Sequence, residues 1–140
     1  MEKINVGDIG VKEYDLGGKV TVQFNPTDIS FANRIYEAFS ELDAKNDSFL
    51  ARAKDAQGTS EIFAISAEMD KEMREIINGV FGVDVCTPLV GDVNIYARAD
   101  GLPLWANIIF AVMDVMEVAV GAEDKRARAR IEKYTKKYHR

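Results

Sequence analysis

The chain has 140 residues, 47% hydrophobic and 29% charged, which is ordinary globular usage and enough for one domain with a real core. Its net charge of −5 is unevenly spread: residues 1–121 hold 10 Lys and Arg against 20 Asp and Glu, a net of −10, whereas residues 122–140 hold 8 against 3, a net of +5. An acidic body argues against a nucleic-acid partner, and a single cysteine, Cys86, excludes an internal disulfide framework.

The first residues, Met1-Glu2-Lys3-Ile4-Asn5, lack the apolar core of a signal peptide, so a reducing, cytoplasmic setting is expected. Next come two short runs, Lys12 to Leu16 and Lys19 to Phe24, on either side of Gly17-Gly18. Two glycines between strands suit a two-residue type I′ turn, where both central residues need positive φ. Val20, Val22 and Phe24 alternate onto one face. A lone hairpin is marginal in water, so this one must pack on helices or on another subunit.

Asn25-Pro26-Thr27-Asp28 reads as a helix start, with Pro26 in the first turn and Asn25 or Thr27 as the cap. Phe31, Ile35, Phe39 and Leu42 then form a stripe. Asn46-Asp47-Ser48 either breaks this helix or lies within one that runs to Gly58. Ser60 is a natural cap for the next helix. Ile62, Ile65, Ser66, Met69, Met73, Ile76, Ile77 and Val80 follow the helical period, and Gly82 supplies the stop. Residues 83–101 read as an irregular connector rich in turn residues (Thr87-Pro88, Gly91-Asp92, Asp100-Gly101) that packs down through its apolar side chains.

Pro103 opens a third long helix, which Gly121 can stop. Trp105, Ile108, Ile109, Val112, Met113, Met116 and Val120 line it, and Phe110, Ala111 and Val115 fill its flanks. A helix apolar over so much of its circumference is central in a fold or shared with a neighbour. Asn107, Asp114 and Glu117 in its interior argue for a buried helix and against a membrane span. The last segment, residues 122–140, has high helix propensity and little to bury. Its Arg126, Arg128 and Arg130 alternate and make no narrow stripe.

Chemistry-bearing residues are sparse. The only histidine, His139, is second from the last residue and reads as a frayed end. With one His and one Cys, neither a catalytic triad nor a zinc cluster can be assembled. Cys86 sits among apolar neighbours without a nearby cation and reads as a structural thiol. Asp92, Asn94 and Asp100 lack the spacing of a calcium loop, and the glycines at 7, 10, 17 and 18 form no phosphate-binding fingerprint. No catalytic residue, metal or cofactor is expected, which points away from an enzyme. Met69, Met73, Met113 and Met116 are either ordinary core or an adaptable surface for a partner helix.

Several short motifs carry a resemblance. They are the glycine-containing strand pair, Asn25-Pro26-Thr27-Asp28, a helix ending in Val80-Phe81-Gly82, and then Cys86-Thr87 and Val90-Gly91-Asp92-Val93-Asn94, before a long apolar helix and a basic tail. Over about residues 20–120 this resembles the small tail assembly chaperones of long-tailed, non-contractile phages of Gram-positive hosts. Val90 stands where that family carries an aromatic residue. The resemblance implies a protein of the bacterial host cytoplasm that binds and solubilises the long, helical tape-measure protein during tail assembly. It brings no catalytic residues.

The expected fold is therefore α+β and mainly α. An N-terminal β-hairpin precedes a bundle of three long helices (residues 1–121), followed by a basic helical tail (residues 122–140). The candidate protein-binding residues are Trp105, Ile109, Val112, Met113 and Met116 on the apolar helix, with Arg126, Arg128 and Arg130 on the tail. The expected partners are the tape-measure protein or its equivalent and further copies of the chain, not nucleic acid or membrane. The competing reading is a structural head–tail or tail-completion protein that forms a ring, with the hairpin joining its neighbour by strand addition.

Overall fold

The computed structural model describes residues 1–138, so His139 lies outside the described residues. Strands β1 (Lys12–Leu16) and β2 (Val20–Phe24) form the antiparallel hairpin, with Leu16 facing Val20 and Lys12 facing Phe24. Gly17 and Gly18 both have positive φ, 60° and 71°, and the Lys19 N–H closes the turn on the Leu16 carbonyl at 3.0 Å. Lys19 is left out of the ladder, so the loop has three residues and not the two expected. Val22 and Phe24 are buried and Tyr14, Leu16 and Val20 half-buried, so one face of the hairpin is committed to the core.

Helix α1 (Ile29–Asp55) is unbroken through Asn46-Asp47-Ser48. Its cap is Asp28, whose carboxylate accepts the Ser30 N–H at 2.9 Å. Asn25, one of the two caps expected, is used elsewhere. Its Oδ1 accepts from Thr27, and its Nδ2 donates to the Ile9 carbonyl at 2.7 Å, pinning the irregular N-terminal segment. A side chain at Gly10 would place its Cβ 2.6 Å from that amide, and Gly10 has φ of +73°, so glycine is required there.

Helix α2 (Thr59–Phe81) ends at Gly82, which takes the left-handed conformation (φ 73°) and donates to Asn78. Its first residue is Thr59, so Ser60 lies inside the helix and does not cap it; Glu61 instead accepts the Gln57 N–H. Helices α1 and α2 pack as a hairpin, tied at the surface by Lys45 and Glu72 at 2.9 Å. The connector is more regular than expected. It holds a short helix α3 (Cys86–Val90) and a two-residue ribbon, β3 (Arg98–Ala99) and β4 (Leu102–Pro103), turned by Asp100-Gly101.

Helix α4 (Leu104–Tyr138) is a single helix of 35 residues. Gly121 does not stop it, so body and tail share one rod about 50 Å long at 1.5 Å per residue. The core joins these elements. Phe24 stacks on Tyr14 (4.5 Å) and on Phe31 (4.4 Å), with Phe81 tilted against both Phe24 and Phe31, so the hairpin seats on the start of α1 and the end of α2. Ile35, Leu42, Met73, Ile77 and Ile109 are fully buried between the three long helices.

Candidate protein-docking surfaces

The inner face of α4 repeats every three to four residues. Trp105, Ile109, Val112 and Met116 are buried, Ile109 completely. Phe39 of α1 packs against Trp105 and Phe110, and the Trp105 indole N–H donates to Asn46 Oδ1 at 3.4 Å. Four of the five apolar residues expected to meet a partner are therefore core residues of the single chain. Met113 is half-buried at the edge. Burial of Trp105, Ile109 and Val112 fits a central helix and has a simple cause. Two helices and a connector suffice to cover one stripe of α4, and this is the stripe with the largest side chains.

A second stripe remains uncovered. Leu104, Ile108, Ala111, Val115, Val118 and Ala122 are spaced four, three, four, three and four residues apart, the alternation of a coiled-coil seam. Leu104 and Ile108 are half-buried under the body's edge, and from Ala111 onward every member is exposed, Val118 at 74%. The seam is legible in the sequence as spacing, but the inner stripe runs beside it, and together the two make one apolar circumference.

Arg126, Arg128 and Arg130 are exposed. Because the helix is continuous, their directions are fixed by the 100° step per residue. Arg126, Arg130 and Lys133 fall on one face at i, i+4 and i+7, whereas Arg128 points elsewhere. The tail thus carries a basic stripe that the alternation in sequence had concealed. Arg126 also pairs with Glu123 on its own helix, an exposed contact.

Gly91-Asp92 and Asp100-Gly101 form turns as expected, and a ladder of polar side chains on α2 holds the connector in place. Ser66, Asp70, Arg74 and Asn78 recur every four residues. Ser66 Oγ accepts from Asn94, and Asp70 accepts the Ile95 N–H at 2.6 Å. Arg74 bridges Asp70 and the Val93 carbonyl, while Asn78 Oδ1 accepts the N–H groups of Val85 and Cys86. Asp84 caps the turn after α2; its hydrogen bonds, first that to the Thr87 side chain, hold its carboxyl below the usual value. Residues of the Val90-Gly91-Asp92-Val93-Asn94 motif thus dock the connector on α2, and Phe81-Gly82 seats and ends that helix.

Cys86 is fully buried, and desolvation pushes its thiol up to about 11, the nearby Arg74 opposing only in part. That is the signature of an inert structural thiol. Met69, Met73 and Met116 belong to the core, so methionine supplies no broad exposed surface on these faces. Among the described residues there is no cluster of three or more His, Cys, Asp or Glu side chains placed to hold a metal ion.

One of the described helices, α4, is long and apolar enough to cross a membrane by length and composition. Its inner stripe is buried against α1, and Asp114 and Glu117 lie exposed along its length. Comparison of the chain with family models, with curated proteins and with solved structures finds no match.

Proposed function

We propose that this chain is a tail assembly chaperone that binds and solubilises a long helical tape-measure protein in the bacterial cytoplasm and does no catalysis. The observation that carries this reading is the part of the seam left uncovered, from Ala111 to Ala122. A four-three spacing of aliphatic and small residues is what one helix offers another, because the side chains of the partner interdigitate into the same repeat. An apolar, aggregation-prone helix would find on α4 a strip that water covers poorly. The acidic body would keep the coated complex soluble through mutual repulsion.

Co-expression with the tape-measure protein of the same genome tests the reading. The partner is expected to become soluble and to co-purify. Val115→Asp with Val118→Asp is expected to abolish retention, because a charge at the centre of a helix–helix seam is desolvated without a partner. Failure of the unaltered chain to retain the partner overturns the reading. Recovery of the chain in finished, purified virions would instead favour a ring-forming structural subunit.

A further inference from the structure

We infer that the basic tail of α4 docks in the groove between α1 and α2 of a second copy of this chain. The groove has an apolar floor of Ala38, Ile76 and Val80, with Gly79 leaving room for close approach. Glu37 and Glu41 rise from α1 on one side and Glu75 from α2 on the other, all exposed. The one cation at the groove, Arg34, lies over the ring of Phe31 at 5.4 Å and so is turned to its own helix.

The tail complements this surface in charge and register. Arg126, Arg130 and Lys133 share a face, and Ala127 and Ala129 flank it, all exposed. Arg126 and Arg130 are four residues apart, as are Glu37 and Glu41, so both pairs span about 6 Å along a helix. The Arg126 pairing with Glu123 is a surface contact of small worth and is readily exchanged. A chain cannot fill its own groove. The groove lies on the opposite side of α1 from Phe39, the residue that meets α4, and α4 is one unbroken rod that leads its tail onward instead of folding back. Groove and tail are different surfaces, so each copy can give one contact and receive another. The basic stripe continues the face of the seam beyond Ala122, but the contact uses residues 126–133 and does not depend on the partner proposed for the seam.

Charge reversal tests the inference through the sedimentation of the full chain. The unaltered protein is expected to sediment as an oligomer at low salt and to shift to monomer as salt screens the contact. Arg126→Glu with Arg130→Glu and Lys133→Glu should be monomeric. So should Glu37→Arg with Glu41→Arg and Glu75→Arg. Mixing the two variants should restore a complex, since each tail then meets a groove of opposite sign. A monomer at low salt and millimolar concentration for the unaltered chain overturns the inference. So does undiminished association of either variant, which would place self-association elsewhere, or a mixture that stays monomeric. None of these readouts uses the tape-measure protein, so this inference and the proposed function fail separately.

Discussion

Asn78 holds the turn after α2 through a single side chain. Its Oδ1 accepts two backbone N–H groups, from Val85 at 2.8 Å and Cys86 at 3.1 Å, and its Nδ2 donates to Asp84. Asn78→Ala leaves two partly buried donors without their acceptor. The expected cost is about 1–3 kcal/mol, read as a lower urea midpoint with an unchanged slope. Cys86 and Tyr96 make a second prediction at this scale. Burial raises Cys86 from 9.0 to about 11 and, joined by the carboxylates of Glu72 and Asp70, raises Tyr96 from 10.0 to about 12. Each group thus keeps its proton in the folded chain at a pH where the unfolded chain releases it. Their contribution is complete below pH 9 and is lost as the pH rises from there towards 12. Melting temperature should therefore fall above pH 9, and Cys86→Ala should flatten the first part of that fall. The inert character of Cys86 was legible from its apolar neighbours. The ladder on α2 was not, although its four-residue spacing is plain. Its partners lie as far as 28 residues away, in Asn94, and such pairings appear only once the connector has folded back.

At the scale of elements, periodicity placed the hairpin, the helix ending at Gly82 and the stripe on α4, because one local rule governs each. Choices among nearly equivalent residues were less legible. Asp28 caps α1 where Asn25 and Thr27 were equally eligible, since Asn25 is drawn off to anchor Ile9. The hairpin loop gains a residue because the Lys19 N–H closes the turn while Val20 opens the ladder. Gly121 is the instructive case. Glycine after an apolar run suits a helix stop, yet here it is interior to α4, does not take positive φ and has open space around it. Gly121→Ala should then raise stability by up to about 0.5–1 kcal/mol, the usual difference between the two residues inside a helix. A loss of stability would show that Gly121 takes a left-handed stop conformation in solution. The two faces of α4 give a paired prediction for the isolated protein. Ile109→Asp puts an unpaired charge in a fully buried position and should prevent folding, whereas Val118→Asp, at an exposed position, should leave the melting temperature within a degree or so.

On the scale of the whole molecule, the division between an acidic body and a basic tail was evident from charge alone, but the rod joining them was not. Composition separates residues 122–140 from the rest, while the backbone runs through position 121 without a break. Stability along that rod should therefore be graded and not stepped. Residues 105–116 are held by burial of Trp105, Ile109, Val112 and Met116, so their amides should open only with global unfolding. From Val120 through Lys133 every described side chain is exposed; Ala122, Glu123 and Arg126 face the N-terminal segment across an open cleft, and a helix of that length with so little packing is marginal in water. Hydrogen exchange on the dilute protein should fall from full protection near Ile109 to little beyond Lys125. Removing residues from Lys125 onward should correspondingly leave the melting temperature nearly unchanged. At the concentrations and low salt where copies associate, protection should extend into the segment around Arg126 and Arg130, since docking supplies the packing that the lone chain lacks. A tail as protected as Ile109 in the monomer would mean that it packs on its own body, and truncation would then cost stability as well.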